Sequence, residues 1–136
     1  MPETFVWPVR VYYEDTDAGG VVYHAQYLKF LERARTEWLR AAGLEQDRLA
    51  AEYGIVFAVT RAELRFLAPA RFNEALGVSV EPARSGRVRI AFAQRVFRAA
   101  APDEPLVTAR VEVACVDRSR FRAAPIPEFV HETLQL

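Results

Sequence analysis

At Gly54 the period of the hydrophobic pattern changes from that of a helix to that of strands, and this change limits the folds that the sequence can adopt. Before it, from about residue 24 to residue 42, apolar side chains recur every three or four residues, as on one buried helix face: Tyr27, Phe30, Leu31, Ala34, Trp38 and Ala41. After Gly54 the period falls to two, which is typical of half-buried strands. The sequence therefore predicts one long helix followed by a run of strands.

Strand-like segments rich in β-branched and aromatic residues occur at 5–13, 56–67, 76–84, 87–98 and 106–117. Gly43 ends the long helix, and a short second helix over 45–53 ends at Gly54. The last four strands follow one another through short connections, so antiparallel pairing is expected. The predicted class is α+β, with one antiparallel sheet against a central helix and a single domain over residues 1–136.

Oligomerisation is predicted by packing alone. A sheet with one helix covers only one of its faces well, and the other face or an edge would stay bare in a monomer. Pro8 suits an edge strand or an early position in a strand, because it has no N–H to donate to a neighbour. We therefore expect a dimer joined through sheet edges.

The composition argues against several classes of protein. Eighteen basic residues balance 18 acidic ones, which argues against a nucleic-acid coat or a polybasic membrane anchor. No apolar run approaches the length of a membrane span and no signal peptide is apparent, so a cytoplasmic protein is expected. One cysteine and two histidines predict no disulfide and no metal site. Cys115 lies on an apolar strand face and is expected to be an inert buried thiol, and His131 has no evident partner.

The segment between the first strand and the long helix, residues 13–24, contains three carboxylates and two glycines. The first turn of a helix leaves N–H groups unpaired and carries partial positive charge, so it can hold an oxyanion. A nearby carboxylate can attack a carbonyl or activate water. The simpler alternative is a polar turn in which an aspartate is the helix N-cap. Spacing alone leaves both interpretations open.

The run WPVRVYYEDTDAGGVVYHAQYLKFLERARTEWLR, residues 7–40, resembles the YbgC-like acyl-CoA thioesterases, in the 4-hydroxybenzoyl-CoA thioesterase branch of the hotdog superfamily. FLAPARF (66–72) and ACVD (114–117) agree more loosely. The resemblance implies a hotdog fold, in which an antiparallel five-stranded sheet wraps around the long central helix. It also implies a homo-oligomer, either a dimer or a dimer of dimers.

The resemblance assigns roles to residues of the 13–24 segment. Asp17, the second aspartate of Asp-Thr-Asp, is expected to be the catalytic carboxylate, and the backbone N–H of His24 is expected to polarise the thioester carbonyl. For the imidazole of His24, assistance in proton transfer and a capping role both stay open. Four further residues are expected beside the substrate: Gly19, Gly20, Val22 and Tyr23.

Arg84, Ser85 and Arg87 lie in a predicted hairpin turn. In the wider family, basic and hydroxyl residues of this turn contact CoA phosphates, often across the dimer, and arginine holds phosphate oxygens bidentately. A hairpin turn without ligand contact is the alternative.

Several polar residues near the site are expected to be structural. Asp15 is predicted to bond backbone donors in its loop, and Glu14 to be solvated. Gln26 departs from the asparagine or serine common in the family, which affects the fine shape of the site. Glu32 and Arg35 lie three residues apart and can pair with each other or with the sheet.

The implied reaction is hydrolysis of acyl-CoA to a free acid and CoA, with no metal or nucleotide cofactor, since CoA is part of the substrate. The resemblance favours short-chain aliphatic acyl groups, with thioesters of acyl carrier protein as an alternative substrate. The family sits beside the Tol-Pal envelope system, which suggests a link to phospholipid metabolism. Two rival functions are a hotdog dehydratase, whose local motif differs, and a non-catalytic scaffold that binds acyl carrier protein or lipid-synthesis enzymes.

Overall fold

The structure, a computed structural model, describes residues 4–136. Its strands are β1 (Phe5–Arg10), β2 (Ile55–Phe66), β3 (Ala75–Ser85), β4 (Arg89–Arg98) and β5 (Pro105–Asp117). Its α-helices are α1 (Gln26–Ala41), α2 (Gln46–Tyr53) and α3 (Glu128–Leu134). A single 3₁₀ turn, Tyr13–Asp15, follows β1.

The five strands form one antiparallel sheet in the order β1-β3-β4-β5-β2. The predicted α+β class, with a five-stranded antiparallel sheet against one long helix, is confirmed. β1 and β2 are the two edge strands. Pro8 lies in β1 opposite Gly77, on an edge as predicted.

The predicted first strand was too long. β1 ends at Arg10 because the chain then turns on itself: the N–H of Tyr12 donates to Asp15 Oδ2 at 2.8 Å. Residues 11–13 therefore leave the sheet, and Tyr13 opens the 3₁₀ turn. The long helix likewise begins at Gln26 rather than at residue 24.

The buried face of α1 agrees with the helical pattern at four positions, Tyr27, Phe30, Leu31 and Ala34. Trp38 is half-buried and meets the ring of Phe92 edge-on. The pattern was wrong at Ala41, which is exposed, and it missed Leu39. Leu39 is buried because the chain reverses after Gly43 and adds apolar side chains of the α2 region to the same core.

The outer face of the sheet is not covered by any helix of the described chain. Charged side chains stand on it, among them Arg61, Glu63 and Arg110. Along β2, Ile55 is the only buried residue. The bare face and bare edge that the packing argument predicted are thus both present. No helix within residues 4–136 is long and apolar enough to cross a membrane.

Candidate active site

The loop between β1 and α1 presents Asp17 at the surface. Asp17 N donates to Val21 O, and Gly20 N donates to Asp17 O, each at 3.0 Å. This tight turn requires a positive φ of 80° at Gly20, a conformation that glycine adopts without steric cost. Val22 then pairs with Thr16 in an isolated bridge, which directs the chain back toward the helix.

The carboxylate of Asp17 is held on one side only. Its Oδ1 accepts a hydrogen bond from Gly19 N at 2.8 Å. Among residues 4–136, no group donates to Oδ2, and the side chain lines a cleft. Gly19 therefore orients the carboxylate, while one oxygen stays free for a ligand or water.

The cleft holds about 330 Å³ between the loop, the start of α1 and the segment that follows β2. Asp17, Val22 and His24 line one part of it, which brings together three of the residues that the resemblance selected. The opposite wall is formed by Phe66, Leu67, Ala68 and Pro69.

Two unpaired N–H groups immediately precede α1, beside this cleft. The N–H groups on either side of them are bonded: Tyr23 N donates to Asp15 O and Gln26 N donates to Tyr23 O, each at 2.8 Å. Within residues 4–136, the N–H groups of His24 and Ala25 meet no acceptor. Ala25 occupies the N-cap and has no side-chain oxygen to cap the helix. The alternative in which an aspartate is the N-cap is therefore wrong, and the helix end can accept an oxyanion.

The imidazole of His24 packs among aromatic rings rather than against a carboxylate. Its centroid lies 4.7 Å from that of Tyr23 and 6.3 Å from that of Phe66. In the described part of the chain, no hydrogen bond joins this imidazole to Asp17. The imidazole of His24 thus contacts aromatic rings, and its backbone N–H meets no acceptor within residues 4–136.

Asp15, in contrast, is buried, with 4% of its surface exposed. Its two oxygens accept bonds from Tyr12 N and Gln26 Nε2, both at 2.8 Å. The prediction that Asp15 bonds backbone donors in its loop is confirmed for Tyr12 N, whereas the second donor is a side chain of α1, that of Gln26. Glutamine at position 26, where the family often has asparagine or serine, therefore affects the hydrogen bond to buried Asp15. The Gln26 side chain does not line the cleft.

Sequence reasoning treated Tyr27 only as a core residue, yet it also lines the cleft. Its hydroxyl oxygen accepts a bond from Ala70 N at 3.2 Å, and Val22 N donates to Ala70 O at 2.9 Å. Burial is the main reason that the pKa of Tyr27 is raised, so its hydroxyl stays protonated at neutral pH. The sequence feature that could have located this part of the cleft is the FLAPARF match, residues 66–72. It contains Ala70, which makes both hydrogen bonds, and the four lining residues before it.

Arg84, Ser85 and Arg87 lie far from Asp17 in the same chain. The predicted turn is present: β3 ends at Ser85, and Gly86 N donates to Arg89 O at 2.8 Å. It lies at the end of the sheet where Arg89 pairs with Ala114, whereas the cleft lies where Phe66 pairs with Val107. These two positions of β5 are roughly 23 Å apart at about 3.3 Å per residue.

Glu32 and Arg35 form no direct ion pair. Arg35 Nη1 instead donates to Gln94 Oε1 on β4 at 3.0 Å, so the pairing with the sheet is the one observed. Gln94 is itself buried and donates to the carbonyls of Leu31 and Ser79. Sequence analysis missed Gln94, which is a polar residue at an inward position of a strand.

The Cys115 thiol is fully buried, and its Sγ lies 3.8 Å from the carbonyl oxygen of Pro125. Burial raises its pKa, because the thiolate would lose its hydration. We expect iodoacetamide at pH 8 to alkylate the folded protein at least about tenfold more slowly than the urea-unfolded chain. Equal rates measured by mass spectrometry would contradict the inert thiol.

The raised pKa of the Cys115 thiol also makes the free energy of unfolding depend on pH. The unfolded chain ionises first, so the contribution of Cys115 to the free energy of unfolding is complete below the ordinary thiol pKa and declines above it.

Elsewhere, no group of three or more potential ligand side chains in residues 4–136 could hold a metal ion.

Known proteins match this chain over nearly all of its length. The family model described as "Thioesterase-like superfamily" matches residues 11–134. The chain belongs to this superfamily. It is 43% identical over 126 residues to the "Acyl-CoA thioester hydrolase YbgC" of Escherichia coli O6:H1, covering 93% of this chain and 92% of that protein. The predicted membership of the YbgC-like thioesterases is confirmed.

Solved structures agree on the fold. A probable thioesterase from Bartonella henselae is 34% identical, with a TM-score of 0.85, over 92% of this chain and all of that one. Slr0204, a 1,4-dihydroxy-2-naphthoyl-CoA thioesterase from Synechocystis, is 24% identical, with a TM-score of 0.88, over 98% of this chain and 96% of that one. The second likeness concerns the fold alone, and together they confirm the hotdog architecture.

Proposed function

We propose that the chain hydrolyses acyl-CoA thioesters to a free acid and CoA, in the cleft that Asp17 and the start of α1 share. One observation carries the proposal: Asp17, one of whose carboxylate oxygens accepts no hydrogen bond, and His24, whose N–H meets no acceptor in residues 4–136, line the same cleft. A thioester carbonyl between them would meet a nucleophile or base on one side and a hydrogen-bond donor on the other.

Two routes are compatible with this geometry. In one, Asp17 Oδ2 attacks the carbonyl carbon, the C–S bond breaks, CoA leaves as a thiolate, and water then cleaves the mixed anhydride. In the other, Asp17 takes a proton from water as the water oxygen attacks the same carbon; the C–S bond then breaks, and CoA leaves as a thiolate that takes up a proton. In both routes negative charge develops on the carbonyl oxygen, where a well-placed donor such as His24 N–H contributes about 2.7–4 kcal/mol.

Short-chain aliphatic acyl-CoA is the substrate class that we propose, with acyl carrier protein thioesters as the alternative source of the same bond. Its support is the resemblance to the YbgC-like thioesterases; the relative at 43% identity is named acyl-CoA thioester hydrolase, which specifies the thioester and not the acyl chain. The 1,4-dihydroxy-2-naphthoyl-CoA hydrolase of Thermosynechococcus vestitus is only 27% identical. A panel of short, long and aromatic acyl-CoAs, followed by release of the free thiol, tests this choice.

We further propose that two copies pair through β2 and complete the site. In an antiparallel pair of β2 strands, the Ile55 end of one lies beside the Phe66 end of the other. The arginine turn stands at the Ile55 end of the sheet, because Ala58 and Arg89 both pair with Ala114. A second copy would therefore carry Arg84 and Arg87 toward the cleft of the first, where they could hold CoA phosphates.

Subunit complementation tests this arrangement. The double variant Arg84→Ala/Arg87→Ala is expected to lose about tenfold or more in kcat/KM, since each charge-assisted bond contributes about 1.5–3 kcal/mol. At low acyl-CoA concentration, this variant alone and Asp17→Asn alone should each run at about a tenth of the native rate or less. After unfolding and refolding as a mixture, half of the dimers are mixed and one of their two sites is intact, which restores about a quarter of the native rate.

A mixture that shows only the mean of the two separate activities would place the turn in its own chain's site or outside the site. Sedimentation of the native protein as a monomer would contradict the pairing directly.

A further inference from the structure

The hydroxyl of Tyr27 is a buried group with unused hydrogen-bonding capacity. Tyr27 lines the cleft together with Asp17 and His24, and only 3% of its surface is exposed. Its oxygen accepts the N–H of Ala70, and this is the only hydrogen bond of the hydroxyl within residues 4–136. A phenol can donate as well as accept, so the O–H hydrogen meets no acceptor there. A buried donor without a partner is unfavourable, and a ligand that brings an oxygen to it would remove that cost.

The helix directs this phenol back toward the unpaired N–H groups that precede α1. Side chains of an α-helix lean toward its N-terminus and lie over the preceding turn. Tyr27 is the second residue of α1, so its ring extends toward the beginning of the helix. Ala70, which fixes the hydroxyl, also accepts Val22 N, and Val22 is two residues before His24. The hydroxyl and the N–H of His24 therefore lie at the same end of α1.

The proposed pairing through β2 would leave this hydroxyl in place. The segment after β2 leads inward across the sheet, because Leu67 N donates to Leu106 O on β5 at 2.8 Å. It then reaches the loop that follows β1, the opposite edge strand, where Val22 N donates to Ala70 O. Ala70 is thus at least one strand spacing inward from the β2 edge, roughly 5 Å. The free O–H is covered by its own chain and does not depend on an open edge.

We propose that the Tyr27 hydroxyl donates a hydrogen bond to the carbonyl oxygen of the bound thioester, as a second donor beside the N–H of His24. The inference rests on the proposed function, which brings the thioester into this cleft. When the carbonyl carbon is attacked, the π electrons of the C=O bond move onto the oxygen, where both donors stabilise the charge. They return to form the C=O bond again as the C–S bond breaks, and Tyr27 keeps its proton throughout.

Tyr27→Phe removes the hydroxyl and keeps the ring. The variant is expected to lower kcat about a hundredfold, the loss that follows removal of one oxyanion donor. KM should stay within about threefold, because the bond is strongest in the transition state. A kcat equal to that of the native protein would overturn the inference. If Asp17→Asn is inactive while Tyr27→Phe is not, the proposed function stands and only the role of Tyr27 is wrong.

The stretching frequency of the thioester carbonyl reports on its donors without turnover. Asp17→Asn protein should hold butyryl-CoA without cleaving it, and a ¹³C label at the carbonyl identifies the band in difference infrared spectra. A hydrogen bond weakens the C=O bond, so the band should lie at lower frequency than in the double variant Asp17→Asn/Tyr27→Phe. The same frequency in both proteins would contradict a bond from Tyr27.

Replacement of Tyr27 by 3-fluorotyrosine separates donation from a structural role, since Tyr27→Phe also leaves Ala70 N without its acceptor. Fluorine makes the O–H a stronger donor and the oxygen a weaker acceptor. In Asp17→Asn protein, the carbonyl band is therefore expected to move to still lower frequency. A band that stays in place or moves upward would mean that the hydroxyl serves only the bond to Ala70. This replacement keeps the hydroxyl, so it decides the question even if Tyr27→Phe does not fold.

Failure of the proposed function is distinguishable from failure of this inference. If native protein hydrolyses no thioester, yet bound butyryl-CoA shows a carbonyl band that depends on Tyr27, the hydrolase function is wrong and the hydrogen bond stands. If butyryl-CoA does not bind at all, both are wrong.

Discussion

Asp17→Asn is expected to lower acyl-CoA hydrolysis by about a hundredfold or more, the range found when a catalytic acid–base group is lost. The substitution preserves the size of the side chain and leaves an oxygen for the hydrogen bond from Gly19 N. It removes the charge that either route requires, attack on the carbonyl or activation of water. The measurement is thiol release from the acyl-CoA panel, with native and variant protein side by side.

Stability provides the control for this variant. Asp17 is exposed and its side chain has one hydrogen bond, so chemical unfolding of native and variant protein should agree within about 0.5 kcal/mol. If both proteins hydrolyse the panel equally, Asp17 is not the catalyst. If neither turns over any thioester, the scaffold that binds acyl carrier protein becomes the function to test, through partner binding that Asp17→Asn leaves unchanged.

Asp15→Ala is expected to reduce the free energy of unfolding by about 2–4 kcal/mol. The substitution removes the acceptor of two donors at once, the buried amide of Gln26 and the N–H of Tyr12. Buried donors that lose their partner pay the full cost of desolvation. Since a domain of this size has a net stability of only about 5–15 kcal/mol, the loss should appear clearly in urea denaturation.

Glu14→Ala is the matched control for Asp15→Ala. Glu14 lies in the same 3₁₀ turn, is exposed, and takes part in no ion pair among residues 4–136. Its removal should change stability by no more than about 0.5 kcal/mol. A loss as large as that of Asp15→Ala would mean that the turn itself, rather than the buried carboxylate, sets the stability.

Local pattern was enough to predict the elements of this fold. Helical spacing before Gly54 and alternation after it reflect which side chains must be buried, so the order of helix and strands could be read directly. The resemblance over residues 7–40 identified the family and selected Asp17, because that run contains the whole loop between β1 and α1. A predicted strand boundary was wrong where a side chain competes with the backbone hydrogen bonds of the sheet, as Asp15 does just after the end of β1 by accepting from Tyr12 N.

Tertiary structure decided what depends on residues distant in sequence. Asp15 and Asp17 are two residues apart and chemically alike, and only the buried amide of Gln26 makes one structural while the cleft leaves the other free. The family resemblance suggested that the arginine turn contacts CoA, often across a dimer, and strand pairing sets this turn at the opposite end of the sheet from Asp17 of the same chain. Spacing left Arg35 to pair with Glu32 or with the sheet, and only packing against β4 made it a buried cation that donates to Gln94. Hydrophobic period specifies which face of an element is buried, whereas the neighbours on that face are set by the pairing and packing of segments far apart in the chain.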